Sequence, residues 1–258
     1  MFLNNNNISF SVYGGESVLQ DLQSRFFPEF SIYSHDQQDH LAEVYRVRSN
    51  LLNDSDSEDV VKSKIKTLCH LFRGAIFLIN REHSMQEFTA HQIFLGEGCA
   101  QYIDSETSFT NDFSLPKYDN DFCQLIDLNT TINFYLHLAF RDGEFFRCLL
   151  FASDRFDYID LYRIMECIKN TNENRVLRDF KDDLDKFTCS ANNFTATGFA
   201  SRHATGSKDI GVQKRFISLS DSRNLFKKII AGFAKERAKL IGIKVEEEVI
   251  SEKLDWDW

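Results

Sequence analysis

In four stretches of this chain apolar residues recur at three- and four-residue spacing, the period of a helix that buries one face. Val61, Ile65, Leu68, Phe72 and Ile76 form the first, and the run Asn53-Asp54-Ser55-Asp56-Ser57 before it is rich in residues that cap helix starts, so a long helix is predicted to end near Ile79. The other three lie in the second half of the chain. Leu161, Ile164, Met165 and Ile168 predict a helix from about Asp157, and Val176, Leu177, Phe180, Leu184 and Phe187 predict the next. The polar link Asn170-Thr171-Asn172-Glu173-Asn174 makes these two a helical hairpin. Leu225, Phe226, Ile229, Ile230 and Phe233 define a closing helix capped by Ser218 or Ser220, with Arg223, Lys227, Lys228, Lys235 and Lys239 on its other side.

The first half mixes periods. Ile8 to Val12 alternates apolar and polar residues, as a half-buried strand does, and Gly14-Gly15 then punctuates before a helical Glu16 to Arg25 closed by Pro28. Phe30 to Tyr33, Leu41 to Arg48 and Gln86 to Leu95 read as strands, whereas Gly96 to Asn129 is a polar excursion at a lobe boundary. The fold class expected is α+β, with an acidic α+β lobe over 1–129, a helical lobe over 130–241 and an acidic tail over 242–258. Two prolines, 43% hydrophobic and 27% charged residues in a chain of 258 suit a folded chain with a core. No run approaches the roughly 18 apolar residues of a membrane span. The start, Met1-Phe2-Leu3 followed by four asparagines, lacks the basic and apolar regions of a secretory signal, so the expected compartment is the cytoplasm and no membrane partner is expected.

Net charge is −9, but it is segregated. Residues 1–129 carry 9 Lys and Arg against 19 Asp and Glu, and residues 130–258 carry 21 against 20. Arg202 to Lys239 holds 10 basic and 3 acidic residues, and the tail from Gly242 holds 2 against 6. The basic stretch reads either as a phosphate-facing patch that the tail screens or as a solvated helix face. As a patch its contacts would be Lys208, Lys214, Arg215, Arg223, Lys227 and Lys228.

Common catalytic signatures are missing from the sequence: no phosphate loop of the G-x-x-x-x-G-K-[ST] type, no H-E-x-x-H, no G-x-S-x-G. Cys69, Cys99, Cys123, Cys148, Cys167 and Cys189 lie 19 to 30 residues apart and include no C-x-x-C, so they read as free, mostly buried thiols. His83 and His91 suit exposed strand positions better than a metal site, which needs three or four ligands, and Asp182, Asp183 and Asp185 suit a solvated helix face. Neither metal nor cofactor is expected.

One constellation stands apart. Ser190-Ala191-Asn192, then Gly198 and Arg202-His203-Ala204, set an amide, a guanidinium and an imidazole within a connection between helices. An arginine can hold a phosphate bidentately, and a histidine can exchange a proton with a ribose hydroxyl near neutral pH without metal. The same residues also suit a structural clasp, in which Asn192 and Arg202 bond backbone carbonyls and His203 is a satisfied half-buried histidine.

With Asp160-Leu161-Tyr162 to Glu166 before it and an amphipathic helix after it, this order resembles the C-terminal part of a group of bacterial proteins that look like divergent relatives of the HEPN superfamily. The resemblance covers about residues 155–240. It implies a helical bundle, often paired, and in many members a metal-independent ribonuclease of toxin-antitoxin, antiviral defence or RNA-processing systems. Arg202 and His203 would then be the catalytic pair, with Asn192 and Glu166 in support. Active members separate the Arg and His by several residues along a helix, whereas here they are adjacent. Adjacent helical residues diverge by about 100°, so a shared site requires a non-helical stretch or a second chain. The expected function is RNA-directed, with RNA and a protein partner or second copy as partners. The rival is a non-catalytic interaction subunit of a larger complex, and a third reading is a small-molecule or nucleotide sensor.

Overall fold

Alternation in the N-terminal half builds a five-stranded sheet. The computed structural model describes residues 8–13, 19, 30–35, 44–79, 89–95, 100–103, 107–113, 131–193 and 216–243. Strands β1 (Ile8–Tyr13), β2 (Phe30–His35), β3 (Val44–Ser49), β4 (Thr89–Leu95) and β5 (Ala100–Tyr102) lie in the order β2-β3-β1-β4-β5, each pair antiparallel. The period of two sends Phe10, Val12, Phe30, Ile32, Tyr45, Val47 and Ile93 into the core. On the other side Arg46 lies over the Phe94 ring at 3.9 Å and Arg48 over Tyr33 at 5.3 Å.

Helix α1 (Glu58–Ile79) follows the aspartate- and serine-rich start run directly, with Glu58 and Asp59 in its first turn where they complement the helix dipole. It packs on β4, and Phe72 meets Phe30 edge-on at 4.4 Å. Because β3 lies between β1 and β2, the chain must cross over between those strands. Leu19, in that connection, is helical and buried, while the rest of the expected Glu16 to Arg25 helix lies outside the described residues. With α1 joining β3 to β4, the strand order is that of a split β-α-β sheet. β5 and the segment 107–113 both fall in the stretch read as a polar excursion. That segment lies along α1, where the Thr110 amide donates to Thr67 Oγ1 at 3.0 Å and the Phe109 ring meets His70 at 4.8 Å.

The chain divides into two compact units, Met1–Asn133 and Phe134–Trp258. The second contains helices α2 (Thr131–Arg141, which starts just before the boundary), α3 (Gly143–Ala152), α4 (Tyr158–Lys169), α5 (Lys181–Ala191) and α6 (Leu219–Leu240), with a 3-10 helix at Asn174–Phe180. The chain is therefore α+β. Asp142 separates α2 from α3 by capping the latter, its Oδ1 accepting the Phe145 amide at 2.8 Å. Asp157 caps α4 and Ser218 caps α6. The apolar positions of α6 are buried, with Phe226, Ile229, Ile230 and Phe233 fully so.

Two local features set this packing. The single helix expected over Val176 to Phe187 is instead the 3-10 segment followed by α5. An i, i+3 spacing is common to both helix types, so the pattern did not separate them. Gly232 of α6 faces that segment so closely that a Cβ would sit 2.7 Å from Val176 Cγ2. Phe156, before α4, takes a left-handed conformation at φ 50°, which its fully buried ring helps to hold. Among the described residues no helix is long and apolar enough to cross a membrane.

Candidate functional site

The connection singled out in the sequence leaves α5 at Asn192–Asn193 and re-enters the described structure at Phe216. Arg202, His203, Lys208, Lys214 and Arg215 lie outside the described residues, as do Gly198, the tail from Lys244, His83 and the side chain of His91. What the structure describes is the base of the connection.

That base is built from α5, α4 and the start of α6. Ser190, fully buried in the last turn of α5, donates through Oγ to the Lys186 carbonyl at 3.1 Å and accepts the Ile217 amide at 2.9 Å. Tyr158, the first residue of α4, donates its hydroxyl to the Ile217 carbonyl at 2.8 Å. Both backbone groups of Ile217 are thus held just before α6. Burial pushes the Tyr158 phenol above its ordinary range, partly offset by a hydrogen bond with Ser222. One residue on, Ser218 accepts the Asp221 amide at 3.0 Å and donates to Asp221 Oδ2 at 2.6 Å.

Asn192 ends α5 with its amide donating to the Thr188 carbonyl at 3.2 Å. Its Oδ1 is buried and, among the described residues, accepts no hydrogen bond at the mouth of the connection. Glu166 is exposed on α4, beside Cys167. Nothing described joins it to Asn192 in a common contact.

The predicted basic residues of α6 divide by role. Arg223 is half-buried and donates Nε to the Phe156 carbonyl and Nη2 to the Arg155 carbonyl, each at 3.1 Å. Its guanidinium thereby braces the left-handed turn before α4. Lys227 is half-buried, whereas Lys228 is exposed and borders a cleft of about 390 Å³. Phe180, Asp183, Lys186, Phe216, Ile217 and Asn224 are among the other lining residues. Asp183 is paired with Lys186 at 2.9 Å, and Asp221, also on the lining, is turned to the Ser218 hydroxyl. Lys228 makes no ion pair among the described residues, so it is the cleft's available cation.

Reasoning from sequence missed Tyr158, Lys186 and Asn224. Lys186 lies one helical turn before Ser190 and therefore on the same face, a signal present in the sequence. Tyr158 showed none, because its partner is 59 residues away.

A second polar cluster holds the unit together. Arg237 donates Nε and Nη2 to Asp142 Oδ2, at 2.8 and 2.6 Å, and Nη1 to Glu173 Oε2 at 2.7 Å. It joins the α2–α3 junction, the entry to the 3-10 helix and α6. Among the described residues no group of three or more His, Cys, Asp or Glu side chains is placed to hold a metal.

Taken together, fold and site define a two-unit α+β protein whose helical unit carries a small cleft of mixed polar and apolar lining at the root of a basic connection. No family model, curated protein or solved structure matches the chain.

Proposed function

We propose that this chain is an RNA-directed bacterial protein of the cytoplasm, in which a HEPN-like helical unit engages the sugar-phosphate backbone at the base of the 194–215 connection. The observation that carries this reading is the buried Asn192 Oδ1, which has no hydrogen-bond partner among the described residues, at the root of the segment bearing Arg202 and His203, in the same helical unit as a cleft edged by Lys228. An acceptor held without a donor suits a ribose hydroxyl or an arginine side chain. In this reading Lys228 contacts phosphate, with Lys208, Lys214 and Arg215 extending the basic track. Arg202 would stabilise charge on a phosphodiester and His203 would carry the proton, without metal. The setting would be a toxin-antitoxin or antiviral defence system, with a second copy or a larger complex as partner.

The test is binding of single-stranded RNA across a salt series, followed by cleavage with EDTA present. Lys228→Glu should weaken binding and lower the salt slope by about 0.7 for one lost phosphate contact. Arg202→Ala and His203→Ala should each abolish cleavage with unchanged far-UV circular dichroism. Wild-type protein that neither binds nor cuts RNA would overturn the proposal.

A second reading is favoured by the way Ser190, Tyr158 and Arg223 are spent on backbone groups. There the connection is a structural clasp and the chain is a non-catalytic interaction subunit. Arg202→Ala would then lower the melting temperature, and wild type would lack nuclease activity.

A further inference from the structure

The five strands of the first unit contain no Asp or Glu, although residues 1–129 carry 19 of them against 9 Lys and Arg. Two of those basic residues, Arg46 and Arg48, stand on β3. Their register sets them beside Ser9 and Ser11 of β1 and beside Ser31 and Tyr33 of β2, on the face opposite the buried Phe10, Ile32 and Val47. Phe94 of β4 shares that outward face, since it pairs with Ser9. Ser9 and Ser11 are small and buried, so the Arg46 side chain crosses β1 to lie on the Phe94 ring at 3.9 Å, while Arg48 lies over Tyr33 at 5.3 Å.

Stacking leaves the edges of both guanidinium groups to be satisfied, because their N–H donors point outward in the plane. Arg46 Nε is buried and has no acceptor among the described residues, and neither arginine is paired there with a carboxylate. Arg48 is exposed, and Arg46, Tyr33 and Phe94 are half-buried, so rings and cations open to one surface. A face with two cations and no carboxylate, in an acidic half of the chain, selects an anion.

We propose that this outward face of the sheet binds single-stranded RNA, with Arg46 and Arg48 donating to phosphates and bases stacking at Tyr33 and Phe94. The choice of RNA over DNA rests on the function proposed above, whereas the surface itself is built wholly from the first unit. A base is planar and extends a ring–guanidinium stack, and the phosphate beside it accepts the in-plane N–H groups. β3 and β1 separate β2 from β4 by about 14 Å at ordinary strand spacing, so the two stacks take different nucleotides. A duplex keeps its bases stacked on one another, which restricts the ligand to a single strand. An acidic peptide would meet the charge but brings no planar groups to the two ring positions.

The test uses the full-length chain and a mixed-sequence single-stranded RNA of about 12 nucleotides. Fluorescence anisotropy gives the affinity, and ultraviolet cross-linking with peptide mass spectrometry maps the contacts. Cross-links to the peptides containing Tyr33 and Phe94 are expected, and they should persist in Lys228→Glu. Arg46→Gln with Arg48→Gln should lower the salt slope by about 1.4, for two lost phosphate contacts. Tyr33→Leu should weaken binding about tenfold, with far-UV circular dichroism unchanged in each variant. RNA bound with cross-links only within 194–228 would overturn this proposal and leave the helical-unit reading standing, and cross-links confined to the sheet would do the reverse. Tighter binding of duplex RNA or of DNA, displacement of the RNA by a glutamate-rich peptide as readily as by RNA, or a dimer that the arginine substitutions dissolve would each assign the face to another occupant and overturn it. The wild-type cross-link map decides this without reliance on any variant's folding.

Discussion

Replacing Arg237 with methionine should be among the most damaging single changes in the helical unit. The side chain keeps similar length but removes the cation from two carboxylates whose side chains are 2% and 13% exposed, Asp142 and Glu173. Breaking a buried pair by deleting one member costs about 3–5 kcal/mol, because the remaining charge stays desolvated. Asp142 retains one donor, the Phe145 amide at 2.8 Å, and Glu173 is near enough to the surface to turn toward water. Both features place the loss at the lower end, about 3 kcal/mol. For a unit of this size that is a fall of roughly 10–15 °C in melting temperature. Urea denaturation followed by far-UV circular dichroism measures it. Adding Asp142→Asn to Arg237→Met should restore at least about 1 kcal/mol, since asparagine keeps the capping oxygen and removes the stranded charge. The reasoning fails if Arg237→Met costs under about 1 kcal/mol, or if the second substitution deepens the loss.

Other changes probe separate parts of the fold. Phe226→Ala should cost about 3–5 kcal/mol in chemical denaturation, because the ring is fully buried and meets Phe187 edge-on at 4.7 Å. Gly232→Ala should destabilise by about 1–3 kcal/mol through the clash with Val176, and the loss should shrink when Val176→Ala is added. Burial raises the Asp160 carboxyl above its ordinary range, and neighbouring Asp157 and Asp154 add to this. A raised folded-state value means the group's contribution is most favourable at low pH and is lost as pH rises through that value. Asp160→Asn should therefore match wild type at about pH 3 and exceed it in melting temperature at pH 7.

Local pattern was read well where burial is one-sided along a single element. The face of α6 and the start of α1 followed from spacing and capping residues, because a helix repeats every 3.6 residues whatever packs against it. β5 escaped because three residues are too few to display a period. The break between the 3-10 segment and α5 escaped because the two helix types share a spacing. At the candidate site, Asn192 was legible as a polar residue in a connection, but that its oxygen is buried and without a partner among the described residues is a property of its surroundings. Arg223 shows the converse, a basic helix residue indistinguishable in sequence from Lys228 until its guanidinium is seen on the carbonyls of residues 155 and 156.

The amino-acid sequence alone determined the α+β class, the shift from a period of two to one of 3.6 along the chain, a helix start near Asp157 and a serine cap at Ser218 or Ser220, since each depends on residues within a few positions of one another. Tertiary structure alone decided the strand order, the bond from Tyr158 to the Ile217 carbonyl, and the ion cluster that joins Arg237 to Asp142 across 95 residues. Such pairings are chosen by the joint burial of many side chains, and that selection exists only once the elements have packed.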